Sequence, residues 1–190
     1  MVEIAIAFPV IIILLSGVVE FGFMINYYLS LLDATRESAR FYSNLDPFND
    51  DLTDNMSFYS GASAMVIDRL RVIDPGNPLI ELDLARDDVI ITAYSLDVDA
   101  FGVPTLISYP SGGPFHQTNN QPSAFSDTEI LNTLTAGGDP LVDSGILLVE
   151  VWWGYDEVLD LPWLDPFLPE PVMLHAYSIM PLIAAEPVDP

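Results

Sequence analysis

Residues 4–19 read IAIAFPVIIILLSGVV, an unbroken run of apolar and small side chains. After Glu20 the run resumes at Phe21 and continues to Leu32, with Asn26 and Ser30 as polar breaks. About 29 residues of this kind span about 40 Å as a helix, enough to cross a bilayer. Asp33, Thr35, Arg36, Glu37, Ser38 and Arg40 then alternate with Ala34, Ala39 and Phe41. The pattern predicts one continuous helix over residues 2–42. It stops at Asn44 and Asp46-Pro47, because the residue before a proline is pushed out of the helical region. The run is too long for the apolar core of a secretory signal peptide, and no A-x-A site follows it.

From Asn44 onward the periodicity changes. Residues 46–54 (DPFNDDLTD) form an acidic loop, and residues 62–71 have helical spacing, with Met65, Val66 and Leu70 on one face. Residues 74–78 (DPGNP) make a turn. Residues 89–96 (VIITAYSL) read as a strand, and residues 103–109 as an edge strand marked by Pro104. Residues 110–124 are an exposed loop. Ser126 and Glu129 form a capping box for a short helix to Leu134, ended by Gly137-Gly138-Asp139-Pro140. Residues 146–153 (ILLVEVWW) and 172–180 (VMLHAYSIM) are further strands, separated by a loop spaced by Pro162, Pro166, Pro169 and Pro171. Trp152 and Trp153 are adjacent on a strand and so face opposite sides. The fold class is α+β: a long N-terminal apolar helix over residues 1–43, then a head over residues 44–190 with a small antiparallel sheet and short helices.

Charge changes the picture. There are 28 acids against 5 cations, all arginine, for a formal net charge of -23, yet 51% of residues are hydrophobic. The mean hydropathy is +0.36. That combination suits two parts in different solvents. It also excludes an ordinary nucleic-acid binder, which needs a basic face. With no cysteine and two histidines, thiol chemistry and zinc-thiolate sites are excluded. The acidic clusters (Asp46, Asp50, Asp51, Asp54; Asp83, Asp87, Asp88; Asp97, Asp99) offer oxygen ligands for Ca²⁺, but no EF-hand loop is present. They read as a solvated acidic surface. His175 reads as a hydrogen-bonded core residue, and His116, in a polar loop, signals no chemistry. Asn55-Met56-Ser57 is a sequon, which makes Asn55 a candidate glycosylation site. The G-x-S-x-G, P-loop, G-x-G-x-x-G and H-E-x-x-H signatures are all missing, so no enzyme and no cofactor are expected.

Ordered elements in the helix resemble a known family. Val2-Glu3-Ile4-Ala5, then Pro9 and an isoleucine/leucine run, then Glu20-Phe21-Gly22, then Ala34-Thr35-Arg36-Glu37-Ser38-Ala39-Arg40 are similar to the TadE-like pilins of tight-adherence secretion systems, within the type IV pilin superfamily. Residues 148–151 and 174–180 resemble that family's last two strands. The resemblance implies a pilin made as a membrane-inserted precursor and cut by a prepilin peptidase. Assembly machinery then draws it into an extracellular helical homopolymer used for adhesion, with apolar helices in the core and heads outside. The family glutamate usually lies at the fifth mature position and Glu3 is third here. Either the mature chain starts upstream of Met1 or cleavage differs.

Individual residues then acquire expected roles. Glu3 in a bundle of identical helices can pair with a neighbour's α-amino group and set axial register. Glu20 either pairs with Arg36 or Arg40 of another copy, bonds Asn26 or tyrosine hydroxyls, or faces a polar seam protonated. Within one helix Arg36 is about 24 Å away, too far to pair. Arg36 and Arg40 share a helix face, with Glu37 between them. Pro9, Gly17 and Gly22 are helix-packing positions. The alternatives to a main pilin are a minor tip pseudopilin and a membrane-tethered module whose head binds glycan or Ca²⁺.

Overall fold

The computed structural model describes residues 2–71, 80–98, 103–135, 144–159, 161, 163 and 171–185. The expected turn at 74–78, the helix end at 137–140 and the spacer prolines at 162, 166 and 169 lie outside these.

Helix α1 is continuous over Val2–Tyr42, with Pro9 inside its first turns. Helix α2 spans Met56–Leu70, and α3 spans Asp127–Thr135. The strands are β1 (Asp88–Val98), β2 (Pro104–Tyr109), β3 (Phe115–His116), β4 (Ser144–Tyr155) and β5 (Val172–Pro181). They form one antiparallel sheet in the order β2-β1-β4-β5, with β3 sharing the β2 side of β1. Ile91 sits opposite Val149, and Val149 opposite Ser178, so one pleat period runs across the three long strands.

That period divides the core into two layers. Val89, Ile91, Ala93, Leu147, Val149, Val151, Trp153, Tyr155 and Ala176 pack against α1 and α2. On the opposite face Tyr94, Ile146 and Leu148 pack with Ile130 of α3. Trp152 and Trp153 accordingly fall on opposite faces. Trp153 joins the helix-side core, and Trp152 stacks on His175 with ring centroids 4.2 Å apart.

The second half of α1 belongs to this head. Its inward side chains are Glu20, Met24, Tyr27, Leu31, Ala34, Thr35, Ser38 and Tyr42, at the three- and four-residue spacing of one helix face. Small residues there let α2 approach, and the Ser38 hydroxyl donates to the Ala62 carbonyl at 2.8 Å. Helix α2 begins six residues earlier than its apolar spacing suggests. Asn55 caps it by accepting from the Ser57 N–H at 3.1 Å, and Phe58 and Tyr59 extend the buried stripe by one turn. Helix α3 starts as expected. The Ser126 N–H donates to Glu129 Oε2 at 2.9 Å, and the Glu129 N–H donates back to Ser126 Oγ at 3.3 Å.

Candidate functional site

The first half of α1 has the opposite environment. Phe8, Val10, Ile12, Ile13, Leu14 and Val18 are exposed, Val18 to 69%, and at 3.6 residues per turn they point to most sides of the helix. One 18-residue window of the helix is long and apolar enough to cross a membrane, and 6% of it is buried within the chain. Folded monomers rarely leave so large a contiguous apolar surface uncovered. Pro9 lies in this stretch. A side chain built at Gly17 or Gly22 meets nothing within 4 Å, so both glycines leave the helix surface open to close approach from outside. Glu3 lies on the same helix, with its side chain outside the described residues.

The boundary between the two halves is Glu20, which is 1% exposed. Its carboxylate accepts from the Tyr155 hydroxyl, from the Val158 N–H at 2.7 Å and from the Leu159 N–H at 3.1 Å. Tyr155 ends β4, and the chain after it turns back along the helix. Further along, the Trp163 indole N–H donates to Ser16 Oγ at 3.1 Å, one turn nearer the N-terminus than Glu20. Three donors on one carboxylate offset the desolvation that a lone acid on an apolar helix would suffer. Burial, then the hydrogen bond and charge of Glu20, push the Tyr155 phenol well above the usual tyrosine range, so it stays protonated and donates. Tyr27 fixes the geometry from the helix side, its ring 5.3 Å from Trp153 and 5.7 Å from Tyr155.

The Glu20 side chain is thus bonded within its own chain. A tyrosine hydroxyl was among the partners its sequence context suggested. The backbone donors at 158 and 159 were not, since nothing in local periodicity joins residues 138 and 139 positions apart.

Arg36 and Arg40 remain exposed on one face of α1. Arg36 lies 4.0 Å from Asp33, and Glu37 pairs instead with Arg69 of α2 at 2.7 Å. Asn55 spends its side-chain oxygen on capping α2.

The acidic surface needs one correction. Asp87 and Asp88 have fully buried side chains. Asp87 accepts from Arg86 Nε at 3.1 Å, the Gly154 N–H at 2.9 Å and the Asp83 N–H at 2.8 Å. Asp88 meets His116 Nδ1 at 2.9 Å and the Thr118 N–H at 3.0 Å, so His116 has a structural partner after all. Acid runs usually face solvent, but these two are paired inside the head instead. Here Arg86 also reaches Asp156 and the Gly154 carbonyl, and the group ties the start of β1 to the end of β4. On the outer sheet face, buried Glu150 accepts from the Ala124 N–H at 3.0 Å, from Ser123, and faces His175 Nε2 at 2.9 Å. His175 is half-buried there, hydrogen-bonded as expected. Among the described residues, no three His, Asp or Glu side chains gather as a metal-holding group.

The chain thus has a long apolar helix, largely exposed below Glu20 and seated by one face in an α+β head above it. Residues 1–40 match the family model of the TadE-like proteins. The chain carries a TadE-like N-terminal segment. The match covers the exposed half of α1, Glu20, and the stretch that seats the helix in the head. No curated protein matches the chain, and no solved structure does. The TadE-like segment and the apolar helix together fit a membrane-associated component of a Tad pilus.

Proposed function

We propose that this chain is a structural, non-enzymatic pilin: it polymerises through the first half of α1 into an extracellular Tad-like filament for surface attachment, and displays its acidic head outside. One observation carries this reading. Most side chains over residues 8–19 of a TadE-like helix are apolar and exposed, with Ser16 and Gly17 half-covered, while from Glu20 onward one face of the same helix is packed into the head. Lipid satisfies such a surface before assembly, and identical helices satisfy it afterwards, with Gly17 and Gly22 permitting close contact. Because Glu20 is already bonded to its own head, a bundle of these helices meets no unpaired carboxylate at that level. In this reading a prepilin peptidase cuts the membrane-inserted precursor. Glu3 then finds a neighbour's α-amino group, which sets register as each subunit docks.

The test is surface shearing followed by electron microscopy and mass spectrometry of the fibre fraction. The chain is expected in fibres, and Glu3→Ala should abolish fibres while leaving membrane insertion intact. Recovery of the chain from membranes alone, with no fibres under any condition, favours the tethered binding module instead.

A further inference from the structure

We propose that the groove between α1 and α2 is a docking site for a second copy of this chain, filled by the acidic tip of that copy's 46–54 loop. The groove encloses about 790 Å³ and is lined by Arg36, Arg40 and Arg69 together with Phe41, Met65 and Met180. Three of the five cations of a chain with net charge -23 therefore meet in one place. Two acids share it. Asp33 stands 4.0 Å from Arg36, and Glu37 is committed to Arg69 at 2.7 Å. Arg36 and Arg40 are exposed, and three arginines outnumber the two acids, so the groove is cationic with an apolar lining. Such a site selects a carboxylate set beside an apolar side chain.

The same chain carries that chemistry in a fixed form. In the 46–54 loop the Asn49 N–H donates to the Thr53 carbonyl at 2.8 Å, and the Leu52 N–H donates to the Asn49 carbonyl at 2.8 Å. The Asn55 N–H closes the loop on the Pro47 carbonyl, also at 2.8 Å. At the tip Asp50 and Asp51 are exposed beside Leu52, which is 79% exposed and held at φ 63°. A leucine rarely adopts that left-handed backbone, and here it gains no core contact by doing so. Asp51 Oδ1 accepts from the Thr53 N–H at 3.2 Å and the Thr53 hydroxyl at 2.6 Å, which fixes that carboxylate, and the loop presents it with Asp50 and Leu52 to the arginines and the Phe41–Met65–Met180 lining. Groove and tip are different surfaces, so the contact is heterologous. Each docked copy offers a fresh groove and a fresh tip, so the series continues as an open helix unless its rotation closes it into a ring. This inference rests on the polymeric reading above.

The chain has no cysteine, so engineered pairs report without background. Full-length Leu52→Cys and Met65→Cys chains, separately tagged, are mixed in fibre-producing cells and in dense proteoliposomes, then mildly oxidised. The expected result is a mixed disulfide dimer about tenfold more abundant than that from Leu84→Cys with Met65→Cys, Leu84 being a control of similar exposure, 70% against 79%. Adding Arg40→Glu and Arg69→Glu to the Met65→Cys chain should cut the yield about tenfold, and Asp50→Arg with Asp51→Arg on the Leu52→Cys chain should restore it. Equal cross-linking of Leu52 and Leu84, or indifference to charge reversal, overturns the proposal. Fibres are scored separately by microscopy. Fibres without the cross-link overturn the docking site alone, whereas the cross-link in proteoliposomes without fibres upholds it and removes the filament reading. Its absence from both materials overturns it as well.

Discussion

Replacing Glu20 by alanine removes the acceptor that three donors of the head share: Tyr155, Val158 and Leu159. Each hydrogen bond to a charged acceptor contributes about 1.5–3 kcal/mol, while burying the carboxylate costs several kcal/mol, so the clamp as a whole contributes about 3 kcal/mol. That corresponds to a change on the order of a hundredfold in the local opening equilibrium. Amide hydrogen exchange of the full-length chain in detergent micelles reads this at the two amides concerned. Glu20→Ala should speed exchange at Val158 and Leu159 on the order of a hundredfold, with little change at Leu148 in mid-sheet. Tyr155→Phe leaves both N–H bonds in place and should speed the same amides about tenfold. Unchanged protection at Val158 and Leu159 in Glu20→Ala would refute the clamp, because among the described residues Glu20 is the acceptor for both amides.

Three further outcomes follow from the head. Arg86→Ala strips a partner from fully buried Asp87 and from the Gly154 carbonyl. It should cost about 3 kcal/mol and lower the thermal midpoint by about 10 °C, read by near-UV circular dichroism. Gly145→Ala places a methyl group against the Leu182 carbonyl and the Ala185 backbone, which cannot move aside as a flexible side chain would; a loss of about 2 kcal/mol or more is expected in denaturant titration. The third is alkaline sensitivity. Burial pushes the Tyr94 phenol from 10.0 up to about 12, with Asp127 and Glu150 adding to the shift. The folded state therefore binds that proton more tightly than the unfolded chain, and stability falls as pH rises from about 10 through about 12. Tyr94→Phe should flatten that slope in unfolding curves followed at several pH values, and an unaltered slope would count against the assignment.

The helix, its end near Tyr42, strands β1, β2, β4 and β5 and the capping box of α3 were legible because each is written in local spacing. The start of α2 was less so, since Ser57, Ser60 and Gly61 dilute an apolar stripe that only Phe58 and Tyr59 complete. The packed stripe on α1 was hidden for a different reason. When nearly every position from 4 to 32 is apolar, periodicity cannot say which face meets the head, and burial of Leu31 beside exposure of Leu29 is decided by tertiary contact. The Glu20 clamp and the Asp87–Arg86 group share that character. Both close contacts across more than sixty residues, using backbone donors that side-chain identity does not encode. The buried acids show the cost of reading charge by composition alone: an Asp run is solvated unless a guanidinium and free N–H groups converge on it.

In the filament the open half of α1 should be covered by copies of itself. A helical reconstruction of sheared surface fibres from cells producing the chain tests it most directly. Neighbouring α1 helices are expected about 8–10 Å apart along residues 8–19, with the heads outermost. Fibres that lack this chain, or that hold its helices apart from one another, would contradict it.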